Sequence, residues 1–543
     1  MPTPRFRSPD LAGEPPQPTV EPAPGDPRVI LDLRTITPVV GGGVEPFEPD
    51  EVDPVRVPGI RGQLREWWRR LYARESESIE AFFAREASLW GGVGVGGESA
   101  GAASKPKDGP GLRSRVVLWL DPATLRPGSF EAAGVHPAEP GKSPKAMARW
   151  NGGQEFGYAL FPLQRADRER REWRRGQELP TRRVRRNLAF RLMVSLRQGA
   201  RKRTAGDPRE PVRQVLATLW TWIHLGGVGA RTRRGFGALE IASAAQFEGF
   251  PPALEDLVQE WQSLLSPGSD EEFEGRFERF QQATRATCAH WPPRLYAGQP
   301  LVAGTARGDR EGAAQRAHSE LLKHFRLFRQ GSGFARDPAP RPKEPPGRSR
   351  WPEANLLRLR REPDAEWEHA VPDEAKAERG RLGAPRAAFG LPIVMHFKSG
   401  PRVPGREPDE HANGQILPEV ADRSESPDRW ASPVLLRPVP GRNGAYRPLV
   451  AVLRGPRPEA VRLRYNGEER DTASGIAIAA SAGARFEIRS LLSKHGGDAI
   501  GAFTSWLIDK RSFKPVGATA GDAVTSASRG IGHVRRPPGG RRA

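Results

Sequence analysis

Cysteine is almost missing from this 543-residue sequence: Cys288 stands alone. That excludes a disulfide framework and any Cys-rich zinc site, and it suits a reducing compartment. Long apolar runs are missing too. None approaches the roughly 18 residues that a membrane-spanning helix needs. The first residues are rich in proline and charge, unlike a secretion signal. Together these shortfalls predict a soluble, cytoplasmic protein with no membrane partner. Acid is also short: 65 Asp and Glu stand against 85 Lys and Arg, giving a formal charge of +20 and a pI near 10.7. Such a surplus favours polyanions, because each cation that neutralises a phosphate releases condensed counterions. A general preference for arginine explains Arg in place of Lys, but not the excess over acids. Nucleic acid is therefore expected ahead of a membrane surface.

The sequence does have the means to build cores. Hydrophobic residues make up 37%, with 14 Trp and 22 Phe, while 60 Gly and 55 Pro imply extensive loops. Roughly 150 residues per domain predicts two or three domains. Residues 1–28 read as a Pro-rich disordered tail. A strand is predicted over Val29–Ile36, then a helix after Pro58-Gly59 in which Ile60, Leu64, Trp67, Trp68 and Leu71 share an apolar face. Gly91–Gly111 reads as a flexible loop. Strands are expected at Arg115–Leu120, Glu155–Leu163 and Asn187–Leu196, the last alternating through Leu188, Phe190, Leu192, Val194 and Leu196. A helix carrying Val212, Val215, Leu216, Leu219 and Ile223 inward stops at Leu225-Gly226-Gly227, and a strand at Gly237–Ile241 closes the unit. This order of strand, helix, strands, helix, strand predicts an α+β, ferredoxin-like (RRM-like) sandwich over 29–249. Residues 250–330 read as helical, with Leu254–Leu265, Phe273–Ala283 and His318–Arg329. A Pro/Arg-rich linker at 337–352 precedes a second sheet domain, 331–460, with strands at Leu391–Lys398, Pro433–Pro438 and Arg447–Arg454. Residues 461–515 read as an extension and 516–543 as a basic disordered tail.

Two stretches stand out as candidate RNA contacts. The first is Leu225-Gly-Gly-Val-Gly-Ala-Arg-Thr-Arg-Arg-Gly-Phe-Gly237, joining a helix to a strand. Its glycines, Gly226, Gly227, Gly229, Gly235 and Gly237, permit positive φ and let another backbone approach. Arg231, Arg233 and Arg234 supply planar forks for phosphate. It is not an NTPase phosphate loop, since no Lys-Ser/Thr follows and it leads into a strand. The second is the helix Ile60–Arg74, where Arg61, Arg65 and Arg69 line one face and only Glu66 and Glu75 flank the run. Trp67 and Trp68 are expected in the core. Catalytic sets are weak. His224 reads as structural, and His318 and His324 do not make a His-Glu-x-x-His zinc pattern. Gly496-Gly497-Asp498 resembles a polymerase metal motif only superficially, and no histidine lies between the first strand and the end of the arginine helix. Neither a catalytic residue nor a metal or other cofactor is expected.

The glycine loop at the end of a ferredoxin-like unit resembles the hallmark of the RAMP superfamily of CRISPR proteins. Four more stretches sharpen the likeness: Thr37–Gly43, Arg56–Arg69, Gly347-Arg-Ser-Arg-Trp-Pro-Glu353 and Trp430–Pro438. In this order, over roughly 29–455, they resemble the family of first subunits of the type III-B (Cmr) effector complex. The resemblance implies two ferredoxin-like RAMP domains and a non-catalytic subunit. Its implied partners are the CRISPR guide RNA, the target RNA and other RAMP subunits of the complex. It adds Arg348 and Arg350 to the candidate RNA-binding residues. Two alternatives stay open: a RAMP-type RNA endonuclease using Asp50, Asp53 or His224, and a structural cap whose arginines meet protein acids.

Overall fold

The computed structural model describes residues 25–43, 49–74, 77–92, 113–132, 154–160, 183–197, 207–267, 272–284, 293–299, 309–338, 347–361, 371–395, 413–420, 427–455, 457–465 and 473–516. Apart from residues 25–28, 91–92 and 516, the tails expected at 1–28 and 516–543 and the loop expected at 91–111 lie outside the described residues.

Strand β1, Arg28–Thr35, is the centre of the first sheet. Its Val29, Leu31 and Leu33 are buried, as period-two alternation requires of a half-buried strand. Helix α1 (Val57–Tyr72) follows, then α2 (Ile79–Trp90), strand β2 (Val116–Arg126) and a small hairpin of β3 (Ser129–Ala132) and β4 (Arg183–Arg186). Between the hairpin strands lies a short helix, α3, at Gln154–Ala159. This corrects the strand expected at Glu155–Leu163. Phe156, Ala159 and Leu160 are buried at spacings of three and four, the helical period, in the cluster that also holds Phe325 and Phe328; residues 161–163 lie outside the described residues. Strand β5 (Ala189–Leu196), helix α4 (Arg209–Leu225) and strands β6 (Leu239–Ile241) and β7 (Gln246–Glu248) complete the unit.

The sheet order is β2-β5-β1-β6, every pair antiparallel, with β7 on the other half of the β6 edge of β1. With the hairpin set aside, the chain order strand, α1, strand, strand, α4, strand gives the βαββαβ topology predicted from the sequence. The buried faces of α1 and α4 share one apolar core with the sheet, including Leu64, Trp68, Leu192, Val215 and Leu219. Trp67 and Trp68 are core residues as expected. The Trp68 indole N–H donates to Gln214 Oε1 (2.8 Å), and that of Trp222 donates to Gln63 Oε1 (2.9 Å), satisfying polar groups that burial would otherwise strand.

The helical stretch after β7 contains α5 (Glu255–Leu264) and α6 (Phe273–Thr284), then a strand that sequence patterning missed, β8, at Arg294–Ala297. Helix α7 (Asp309–Gln330) extends well before the predicted start at His318. Beyond it come α8 (Glu353–Arg361), α9 (Asp373–Ala377) and strands β9 (Ile393–Met395) and β10 (Gly414–Glu419). Strands β11 (Val434–Pro440), β12 (Tyr446–Val452), β13 (Ala460–Tyr465) and β14 (Ala473–Ala477) follow, then helices α10 (Phe486–Lys494) and α11 (Ala499–Arg511) and strand β15 (Lys514–Val516).

One of the remaining sheets has the order β11-β12-β8-β15, again antiparallel throughout. With α7 after β8 and α11 before β15, this repeats the topology of the first unit. The second sandwich thus runs from β8 to β15, and the boundaries expected at 330/331 and 460/461 fall inside it. The region expected to be an extension supplies its last helix and last strand. The third sheet, β14-β13-β10-β9, is carried as an insertion with its own core around Leu356, Leu357, Leu463 and Tyr465. Among the described residues no helix is long and apolar enough to cross a membrane.

Candidate nucleic-acid interface

Helix α1 begins with Pro58 in its first turn, where the missing N–H is not needed, and Arg56 offers no side-chain cap. Ile60, Leu64, Trp67, Trp68 and Leu71 face the core, which turns Arg61, Arg65 and Arg69 outward. The acidic partner of this face comes from α2 and not from α1. The Glu86 carboxylate, 1% exposed, accepts from Arg65 Nε (2.7 Å) and Arg69 Nε (3.0 Å). The sequence reading weighed Glu66 and Glu75 and missed it. Glu66 pairs with Arg70 (2.5 Å), and Glu75 lies outside the described residues. One carboxylate between two guanidiniums still leaves a net positive charge. Arg61 adds to it, donating to Ser114 Oγ (3.0 Å) and the Val116 carbonyl (3.2 Å). Burial, and then the charges of Arg65 and Arg197, lower its pKa. Like charges crowded in this way favour an arriving anion. On the same helix Gly59 and Gly62 face open space, with nothing within 4 Å of where a Cβ would be.

The glycine–arginine loop is built differently from the expectation. Its glycines do admit a close backbone approach, but the approaching backbone is the protein's own. A Cβ on Gly237 (φ +60°) would overlap the Val228 carbonyl oxygen; one on Gly235 (φ +83°) would lie 2.8 Å from the His318 ring and from the Leu436 carbonyl of β11. Gly226, Gly227 and Gly229 likewise abut Trp222 and Trp67, the Gly237 carbonyl, and Val39 and Val40. Thr37 of the Thr37–Gly43 stretch donates from Oγ1 to the Gly235 carbonyl (2.7 Å) and accepts from the Ala238 amide (2.8 Å).

Two of the three loop arginines face protein. Arg233 donates to the Ser432 carbonyl (2.5 Å), and Arg234 donates to the Val434 carbonyl (3.1 Å) while stacking on Phe325 (4.3 Å). Burial lowers the Arg234 pKa to about 9. In the opposite direction Arg437, 1% exposed, reaches from β11 to the Gly226 carbonyl, the Ile223 carbonyl (2.5 Å) and the Leu239 carbonyl (3.1 Å). Its charge sits at the negative end of the α4 dipole. His318 is buried beneath the loop, its Nε2 2.6 Å from the Arg234 carbonyl; burial lowers its pKa to about 4, so it is neutral near pH 7 and donates from Nε2. The loop therefore clamps the first sandwich to the second. Arg231 is the exception. It adopts a left-handed conformation (φ 62°), its carbonyl accepts from the Arg234 amide (2.8 Å), and its side chain makes no hydrogen bond or ion pair with described residues.

The structure brings loop and helix together. Arg233 lies close enough to Arg70 and Glu66 of α1 to feel both charges, and the Trp67 indole sits against Gly226. Arg348 and Arg350 belong elsewhere, beside the second sandwich. Arg348 is exposed, while Arg350 donates to Asp337 Oδ1 (3.1 Å) and the Gly333 carbonyl (2.8 Å). In the same stretch Trp351 is fully buried and Glu353 pairs with Arg386 (3.1 Å), so the end of the expected linker is an anchor.

The catalytic candidates have structural engagements. Asp50 accepts from the amides of Val52 (3.0 Å) and Asp53 (2.9 Å) and pairs with Arg56, setting the turn that leads into α1. The hydrogen bond from the Asp53 amide, and less so that from Arg56, lower its pKa. Asp53 is 3.7 Å from Arg56 and its pKa is raised by burial. His224 is buried, with Nδ1 2.8 Å from the Trp220 carbonyl and its ring stacked on Trp220. Burial holds its pKa well below the usual range. Asp498 caps α11, accepting from the Ile500 amide (2.9 Å), after a turn in which Gly496 and Gly497 take positive φ.

Known proteins match in two ways. The model of the RAMP superfamily matches residues 32–240. Among solved structures, Cmr1 from Pyrococcus furiosus in its apo form is 15% identical, with 90% of this chain and 98% of that one covered and a TM-score of 0.38. A chain of the Type III-B Cmr-beta complex bound to cognate target RNA is 11% identical, covering 88% and 100%, TM-score 0.39. Another, from the same complex with target RNA and AMPPnP in the presence of ssDNA, is 12% identical, covering 88% and 99%, TM-score 0.41. No curated protein matches. The family match coincides with the first sandwich, from within β1 to within β6. The resemblance to the RAMP superfamily is thus carried by residues 32–240.

Proposed function

We propose that this chain is a non-catalytic RNA-binding subunit of a type III-B CRISPR effector complex in the cytoplasm. In this reading it holds the 3′ part of the guide RNA and its target duplex beside other RAMP subunits. The observation that carries RNA binding is the outer face of α1, where Arg61, Arg65 and Arg69 line up and the one carboxylate of Glu86 serves only Arg65 and Arg69. Such a face tracks a backbone and leaves sequence to base pairing. The subunit assignment is supported by the match to the RAMP superfamily and by the ordered motifs from Thr37 to Pro438. The absence of catalysis is supported by the turn-forming role of Asp50 and the buried, stacked state of His224.

The test is the salt dependence of RNA binding by the full chain. Replacing Arg61, Arg69 and Arg231 together with glutamine is expected to reduce the log–log salt slope by about 2 and weaken binding about a hundredfold at low salt. Arg65 is left in place to hold Glu86. An unchanged slope would remove α1 from the interface. Cleavage of labelled guide or target RNA that disappears in an Asp50→Asn variant would replace this reading with the nuclease one.

Glycine inside an exposed helix is unfavourable by about 1 kcal/mol relative to alanine. Gly62→Ala is therefore expected to raise the thermal midpoint, since nothing lies within 4 Å of the added methyl. If RNA runs along this face, the same variant binds RNA more weakly. Higher stability with unchanged RNA affinity would show that no partner approaches the helix there.

A further inference from the structure

Phe486, the first residue of α10, is 57% exposed although it is a large apolar side chain. It is also held at φ +52°, a left-handed conformation that aromatic residues rarely adopt. Exposed Asn443 and Ser512 of the second sandwich share the left-handed backbone, but neither carries a large apolar side chain; strained outliers of this kind gather at ligand clamps. Two guanidiniums stand over its ring: Arg350 at 4.5 Å and Arg485 at 4.8 Å. Both are fixed by Asp337, through Oδ1 (3.1 Å) and Oδ2 (3.2 Å), and the Arg485 amide donates to the Arg350 carbonyl (2.9 Å). Exposed Arg348 lies two residues from Arg350, and exposed Glu487 follows Phe486.

We propose that Phe486, with Arg350 and Arg485, is a stacking platform for an unpaired RNA base. Phe486 is 57% exposed with both guanidiniums over its ring, so an incoming base meets the aromatic ring and the guanidiniums together. Asp337 orients both arginines but neutralises one charge of the two, which leaves a cation for the phosphate beside the stacked base. An aromatic ring framed by arginines is the chemistry by which single strands are held without sequence preference. A protein pocket accepting Phe486 would not need paired guanidiniums on its ring. The proposal rests on the RNA-binding reading and adds a second, single-strand site on the other sandwich.

The experiment compares the full wild-type chain with Phe486→Gly and Phe486→Trp, using a short uridine-rich single strand and a blunt-ended RNA duplex as probes. Glycine relieves the left-handed strain, so Phe486→Gly is expected to unfold no earlier than the wild type. It should lose single-strand affinity on the order of tenfold, with duplex affinity unchanged. Phe486→Trp should retain binding, and 4-thiouridine in the strand should crosslink to the peptide containing Phe486 in the wild type. Single-strand affinity within twofold of the wild type for Phe486→Gly overturns this platform alone and leaves the α1 interface standing. A wild-type chain that binds neither probe overturns both readings. Loss of assembly with other subunits, with RNA crosslinking unaltered, assigns Phe486 to a protein pocket instead.

Discussion

Gly237→Ala is expected to destabilise the protein by about 4 kcal/mol or more, the largest effect of any single methyl group added to the glycine loop. Two terms combine. The left-handed backbone at φ +60° disfavours any L side chain by about 1–2 kcal/mol. In addition the new Cβ would overlap the Val228 carbonyl oxygen, which is backbone and cannot rotate away. Relief requires moving Gly237, whose amide donates to the Pro38 carbonyl (2.8 Å) and whose carbonyl accepts from the Val228 amide (2.9 Å). Gly333→Ala is the matched control. Gly333 has φ +81°, yet nothing lies within 4 Å of its missing Cβ, so only the conformational term of about 1 kcal/mol applies. Thermal unfolding of the two variants separates the terms. Equal shifts would mean that the loop yields, and that the contact with Val228 is not fixed.

Arg437→Ala is expected to lose about 4 kcal/mol and to uncouple the two sandwiches. The guanidinium is the shared partner of carbonyls from the end of α4, from Gly226 and from β6, all on the first sandwich, while its backbone belongs to β11 of the second. Removing it leaves three buried acceptors without that donor, each desolvated and unable to reach water. Arg437→Lys keeps the charge at the α4 terminus but not the fork, so it should fall between alanine and the wild type. In calorimetry the expected signature is a single transition that splits in two. A single, unsplit transition for Arg437→Ala would show that the loop arginines Arg233 and Arg234 suffice to join the units.

Periodic signals long enough to average over their neighbours were legible in the sequence. The alternation Leu188, Phe190, Leu192, Val194, Leu196 appears as read, because burial on one face dictates it residue by residue, and the row read as inward on α4 is buried, although that helix is buried all round from Val215 to Leu225. Short or shared features were not legible. β8 has four residues and owes its existence to β12 and β15 on either side, partners far away in sequence. The apolar run at 155–163 fits a strand by composition, but Phe156, Ala159 and Leu160 meet the core only as a helix. For the candidate site, sequence showed which arginines share a face of α1. It did not show that Glu86 sits between two of them, or that Arg233 and Arg234 turn to β11, since both are long-range contacts. Phe486 had no signal at all. Its exposure and backbone strain are properties of the folded chain.

The closure of the second sandwich also bears on synthesis. β8 lies at an inner position of its sheet, flanked by β12 and by β15, which is made roughly 200 residues later. At ordinary elongation speeds that interval is on the order of 10–40 s. Throughout it the first sandwich has every strand it needs, while the free edge of β8 and the apolar face of α7 await α11 and β15. Nascent chains should therefore pass through a long-lived state with one folded half and one exposed β edge. That state is where a chaperone or a neighbouring subunit would matter most for yield.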